Sequence, residues 1–310
     1  MGEKETSGKN QTEIILTEQR QQEEKQMEQN EQEEKEGKNK PQQIQTDLLL
    51  NGHKILQNPS AFMFGIDAVL LANFAKKEIK KNDTVVDLCT GNGIIPLLLE
   101  TSSKAEKIYG VEIQEDSATL AKKSVEMNGL QNKIEIVNED IKNLVPKNFA
   151  KHSVNCVTCN PPYMILGHGK NNPLDAKSIA RHEIFCTLED VISVAEKLIA
   201  THGKFFMIHR PFRLVEIFSL MEKYSFTPKR LQLIQPEEGK EANLVLIEAR
   251  KNANERLLVE PTLNVYESSN YTLNDKIEKN SPQNQGSVGR VSNNKRRYSK
   301  EIEVIYKSFK

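Results

Sequence analysis

The tetrapeptide Asn160-Pro161-Pro162-Tyr163 combines residue types that define a narrow chemistry. Consecutive prolines fix the backbone and remove two N–H donors, which leaves the carbonyl of Pro161 as a rigid acceptor. The Asn160 side chain offers a second acceptor close by. Together they can hold the two hydrogens of an –NH2 group. An exocyclic amine on an aromatic base is a poor nucleophile, because its lone pair is delocalised into the ring. Acceptors placed out of the ring plane pull the nitrogen toward a tetrahedral shape and aim the lone pair at an electrophile. Tyr163 can stack on the base and fix its orientation. Positioning and electrostatics then supply the rate, with no strong general base. The same four residues can also occur in a plain loop, so their place in the chain decides their meaning.

A second segment, Asp87-Leu88-Cys89-Thr90-Gly91-Asn92-Gly93-Ile94-Ile95-Pro96, reads as a strand end, a tight turn and a helix start. Gly91 and Gly93 let the backbone turn sharply and approach a ligand. The free N–H groups of the following helix suit a carboxylate or a phosphate. A dinucleotide fingerprint would place a third glycine where Pro96 stands. Asp87, before the glycines, would repel a pyrophosphate but can accept from an ammonium group. S-adenosylmethionine carries both an ammonium and a carboxylate on its amino-acid end, and Asp87 with the loop amides can satisfy both. Glu112 follows about 20 residues after the glycines, at the end of a second apolar strand, where an acid can accept from ribose hydroxyls. Asp140, after a third strand, can accept from an adenine amino group. Any one of these acids alone reads equally well as a solvated strand end; three past successive strands read as a cofactor cradle.

The elements that must hold these groups alternate. Apolar strands are expected at 84–88, 108–113, 134–138, 154–159, 204–209, 230–234 and 244–249, and helices at 94–101, 116–128, 188–200 and 214–223. Residues 62–74 are apolar, with helical spacing near their end. Such alternation means βαβ units, hence a doubly wound, mostly parallel sheet of seven strands in an α/β domain. Ligands of such sheets sit outside the carboxyl ends of the strands, which directs attention to the segments after Leu88 and Cys159.

Composition sets the outer limits. Residues 1–45 carry 11 acidic and 7 basic side chains among Gln and Asn, a net charge of −4, while the whole chain is neutral. That extension lacks core-forming residues and is expected to be disordered. The catalytic domain is expected over 46–265. Residues 266–310 read as a flexible polar insertion followed by a short terminal helix. No apolar run is long enough for a membrane span, and the first residues do not form a secretory signal. Four cysteines without a spaced framework fit reduced thiols in a cytoplasmic protein. The CxxC at Cys156 and Cys159 falls on a strand, where positions three apart face opposite sides, so neither a metal nor a redox pair is expected there. Arg210 and Arg213 can grip phosphate or simply start a helix.

The order DLCTGNGIIP, GVEI, NED and NPPY resembles the class I methyltransferases with an Asn-Pro-Pro-Tyr motif, which have a Rossmann-like fold. GHKILQNPSAFMFGIDAVLLANFA, ARHE, HRPFRL and EPTLNVY sharpen the likeness to bacterial adenine-N6 methyltransferases of the valine tRNA anticodon loop. The resemblance covers about 47–310, apart from the polar stretch 273–297 that separates Tyr271-Thr272 from Tyr298-Ser299. It implies that Asp67 lies near S-adenosylmethionine, that Asp87, Gly91, Glu112 and Asp140 bind it with Gly93 in the same turn, and that Asn160, Pro161, Pro162 and Tyr163 hold the target base. The partner implied is RNA, specifically tRNA. Glutamine-N5 methylation of release factors, which uses the same tetrapeptide, and guanine-N2 methylation of ribosomal RNA remain open. So does a noncatalytic, cofactor-binding scaffold.

Overall fold

A computed structural model describes residues 44–59, 63–163, 186–268 and 297–309. Strands β1 (Gln45–Leu48) and β2 (Lys54–Gln57) pair antiparallel as a separate hairpin. The Leu56 N–H donates to Ser124 Oγ at 2.9 Å and the Lys54 N–H to Asn128 Oδ1 at 2.8 Å, which ties the hairpin to the helix that contains Ser124 and is capped by Asn128. Helix α1 (Ile66–Lys76) follows and is buried along most of its length. Its sequence, IDAVLLANFAK, has almost no polar stripe, as a helix enclosed on most sides requires.

The main body then runs β3 (Thr84–Leu88), α2 (Ile94–Ser102), β4 (Lys107–Glu112), α3 (Glu115–Met127), β5 (Ile134–Asn138), β6 (Val154–Cys159), α4 (Leu188–Leu198), β7 (Ile199–His209), α5 (Leu214–Lys223), β8 (Phe226–Gln235), β9 (Leu244–Lys251), β10 (Leu258–Asn264) and α6 (Lys300–Lys307). The strands form one eight-stranded sheet in the order β10-β8-β9-β7-β6-β3-β4-β5. Only β9 runs against its neighbours, β7 and β8. From β3 the chain moves outward through β4 to β5, then crosses back to β6 on the other side of β3. The reversal lies between β3 and β6, at the place where open α/β sheets bind ligands.

Side chains alternate across the sheet with the period of a strand. Val85, Ile108, Cys156 and Phe206 face a core shared with α1, α2, α3 and α6. Val86, Val111, Val157, Cys159 and Phe205 face a second core against α4 and α5. Both faces are covered, which explains the continuous apolar runs of the central strands. Cys156 and Cys159 lie on opposite sides, as their spacing predicts, and all four cysteines are free thiols.

Just past the end of α3, Gly129 has a φ of 68°, which permits the Leu130 N–H to reach back to the Val125 carbonyl at 3.1 Å. Two expectations are corrected. The sheet has an eighth strand, β10, pairing parallel with β8. Most of its residues are exposed and it contains Pro261, so it carries no alternation; an edge strand tolerates both. The fourth helix stops at Leu198 rather than 200, because Ile199 is already extended and opens the 11-residue β7. Helix α6 is capped by Ser299, whose Oγ accepts from the Ile302 N–H at 3.2 Å, and it inserts Ile302 into the first core. Among the described residues, no helix is long and apolar enough to cross a membrane. Residues 1–43 and 269–296, which hold nearly all of the polar extension and insertion, lie outside the described residues.

Candidate active site

The carboxyl ends of β3, β4, β5 and β6 all lie at one edge of the sheet, because the four strands are parallel. Beyond β3 the backbone turns through Cys89, Gly91 and Gly93, with φ of 58°, 57° and 83°. Gly93 precedes α2, and a Cβ there would stand 3.2 Å from the Cβ of Ala121 on α3, so the glycine sets how closely helix and turn pack. The Glu112 carboxylate holds the loop from the neighbouring strand. Its Oε2 accepts the Gly91 N–H at 2.8 Å and its Oε1 the Gln114 N–H at 2.9 Å. Burial pushes its pKa up, and the two backbone donors pull it back. Asn92 Nδ2 donates to Gln57 Oε1 at 3.3 Å, which joins the loop to the hairpin.

Asp87 is fully buried. One oxygen accepts from Thr90 Oγ1 and the other from Thr158 Oγ1, both at 2.6 Å. Burial pushes its pKa up to about 7, against the pull of the two hydroxyls. Asp140 opens a 3₁₀ turn after β5, and its Oδ1 accepts from the Lys142 N–H at 2.9 Å.

Beyond β6, Asn160 and Tyr163 are joined by a hydrogen bond from the phenol to Asn160 Oδ1. The same phenol lies 3.1 Å from Oδ2 of Asp67, in the first turn of α1. The edge of the Tyr163 ring meets His209 with ring centres 5.3 Å apart, and the Arg210 guanidinium stands 5.0 Å from its centroid. His209 Nδ1 accepts from the Arg210 N–H at 2.8 Å, and its buried Nε2 has no partner among the described residues. Burial, aided by Arg213, lowers its pKa to about 4, so the imidazole is neutral.

A cleft of about 470 Å³ brings the two loops together. Of the residues expected from sequence, Asp67, Gly91, Glu112, Asp140, Asn160, Pro161, Pro162 and Tyr163 line it. Asp87 and Gly93 do not: both stand behind the loop, Asp87 as an anchor for two threonines and Gly93 as a packing contact. Both Asp87 oxygens accept from threonine hydroxyls, one in the loop and one on β6. Thr90 and Thr158 were missed in the sequence, where lone threonines give no signal without a known carboxylate opposite. Arg210 also lines the cleft, whereas Arg213 is buried and paired with Glu216, its Nε and Nη2 donating at 2.8 and 2.6 Å. Arg213 therefore serves the start of α5. The segment 164–185, including Arg181, His182 and Glu183, lies outside the described residues.

The chain is similar to several known proteins. The TRM5/TYW2 methyltransferase domain family matches residues 50–161, which run from the hairpin to the first proline of the base loop. A predicted O-methyltransferase of Agrobacterium tumefaciens, protein Atu636, shares the fold with a TM-score of 0.56, at 20% identity, over 78% of this chain and 96% of its own. An Aliivibrio salmonicida protein named tRNA1(Val) (adenine(37)-N6)-methyltransferase is 25% identical over 182 residues, 59% of this chain and 74% of its own. A Histophilus somni protein of the same name is 30% identical over 217 residues, 70% of this chain and 87% of its own. By that likeness the chain belongs to the tRNA1(Val) (adenine(37)-N6)-methyltransferase family.

Proposed function

We propose that this chain transfers a methyl group from S-adenosylmethionine to the N6 of an adenine in tRNA, in the cytoplasm, with adenine 37 of a valine tRNA as the target. The observation that carries the reading is one cleft lined by Gly91, Glu112 and Asp140 on one side and by Asn160, Pro161 and Tyr163 on the other. The donor set fits the cofactor. Glu112, held by two backbone N–H groups, keeps lone pairs for ribose hydroxyls, and Asp140 keeps an acceptor for an adenine amino group. The amino-acid end falls to the loop around Gly91, with Asp87 fixing that loop through Thr90. When bound, S-adenosylmethionine supplies an electrophilic methyl group.

The chain's own residues do the rest. Asn160 Oδ1 and the Pro161 carbonyl accept the two hydrogens of the target amine and set its lone pair toward the cofactor. Tyr163 stacks on the base, and Arg210 and His209 hold its ring in place. The amine proton leaves to solvent once the nitrogen has gained its methyl group, so the site needs no base of its own.

The test is turnover on bulk tRNA from a methylation-deficient strain, digested to nucleosides. N6-methyladenosine is expected. Asn160→Ala should cut the rate by about 10²–10³, the cost of one preorganised polar contact, and leave cofactor affinity near that of the parent. Label found only in methylglutamine when a release factor is supplied would replace the RNA reading with the protein one. Parental turnover by Asn160→Ala would remove the assignment of the base loop.

A further inference from the structure

The Tyr163 hydroxyl stands between two acceptors. It bonds to Asn160 Oδ1 and lies 3.1 Å from Asp67 Oδ2. A phenol has one proton to give. Burial beside Asp67 holds the Tyr163 pKa well above its ordinary value, so that proton is present throughout the working range. One proton serves only one of the two acceptors, and a hydroxyl committed to Asn160 takes one of the two lone pairs of Oδ1 and so weakens its hold on the target amine.

We propose that Asp67 is a positioning residue for methyl transfer: it draws the Tyr163 hydroxyl away from Asn160 Oδ1 and so opens that oxygen to the amine. The proposal rests on the reading of Asn160 as the amine acceptor. A hydrogen bond to a carboxylate is about twice as strong as one to a neutral amide, so the proton has a better home on Asp67 when a substrate amine competes for Asn160. Asp67 is built to receive it. Its Oδ1 is occupied by the Ala68 N–H at 2.9 Å, which leaves Oδ2 for the phenol. A Cβ at position 65 would stand 2.8 Å from Asp67 Oδ1, so Gly65 is what lets the carboxylate lie there. The buried face of α1 fixes its place, while His209 and Arg210 hold the tyrosine ring. Exchange of partners then needs only a small pivot of the hydroxyl.

The experiment is a double-mutant cycle on the full chain, with kcat and KM on tRNA and cofactor affinity by calorimetry. In the background with Tyr163, Asp67→Ala should lower kcat by about tenfold or more, equivalent to one strong hydrogen bond misdirected. In the Tyr163→Phe background, whatever its own activity, the same Asp67→Ala should cost less than about twofold, because no hydroxyl remains to compete for Asn160. Asp67→Asn, which keeps the shape and the bond to Ala68 but turns an –NH2 donor toward the phenol, should show the same suppression with an initial loss at least as large, and serves if the alanine variant melts early. A loss that persists unchanged in the Tyr163→Phe background overturns the proposal. So does a loss that follows cofactor affinity instead of kcat, or full activity of Asp67→Ala. Asn160→Ala run alongside separates the two readings: if it is inactive while suppression fails, only the role of Asp67 falls.

Discussion

Thr158 donates its hydroxyl to Asp87 across 2.6 Å, two residues before Asn160, and so fastens the strand of the base loop to the strand of the cofactor loop. Thr158→Val preserves shape but takes a donor from a buried carboxylate, at an expected cost of about 1–3 kcal/mol. The measurement is the unfolding free energy, with cofactor affinity falling in parallel. A variant as stable and as tight-binding as the parent would show that the bond holds nothing in place.

Asp87 also gives the chain a pH signature. Its folded pKa of about 7 lies above the ordinary value of 3.8, so between those limits the folded chain keeps a proton that the unfolded chain has released. Its stabilising contribution is complete below pH 3.8 and is lost as pH rises through about 7. Asp87→Asn cannot titrate. Denaturant unfolding at about pH 5 and about pH 8 should therefore show the parent losing stability relative to this variant, by up to a few kcal/mol. Parallel profiles would place the carboxylate outside this linkage.

Gly110 on β4 lies opposite Asp87 on β3. A Cβ there would come within 2.9 Å of both Thr90 Oγ1 and Ile136 Cδ1. Gly110→Ala must move the threonine that clasps Asp87, or strain the core behind it, at about 1–3 kcal/mol. Cofactor affinity is the discriminating readout, since displacement of Thr90 loosens the loop whereas movement of Ile136 alone does not.

The polar stretch 269–296 should be removable. Tyr266 and Tyr298 form an antiparallel bridge, their rings stack 5.6 Å apart, and the Glu267 N–H donates to the Arg297 carbonyl at 3.0 Å. The chain thus leaves and returns at neighbouring points, which a turn of about four residues can span. Closing it that way should preserve the melting temperature and turnover on tRNA. Deleting 297–310 instead removes Ile302 and Phe309 from the core, and should cost several kcal/mol. Equal damage from both deletions would make the stretch part of the fold.

The central strands were legible because they are apolar on both faces and punctuated by Gly91, Gly93 and Gly129. Cys156 and Cys159 were legible for a geometric reason, since strand periodicity alone separates them. β10 was not, because an exposed edge strand with Pro261 is patterned by nothing the core demands. Of the site, Gly91, Glu112, Asp140 and Asn160–Tyr163 were found through their order after successive strands, and Asp67 through the family resemblance alone. Asp87 was placed at its strand end, but its bonds to Thr90 and Thr158 were not, because only packing brings the two threonines to it. The Tyr163 contacts with Asp67, His209 and Arg210 join residues 46 or more positions apart, which no local pattern encodes.

Leu88 and Cys159 are register partners in adjacent parallel strands, so the cofactor loop and the base loop spring from the same level of the sheet. Neighbouring strands stand about 4.8 Å apart, a spacing fixed by backbone hydrogen bonds rather than by side-chain choice. The sheet therefore acts as a gauge block for the reaction: donor and acceptor inherit their separation from the peptide backbone, and loops can vary around them without resetting it.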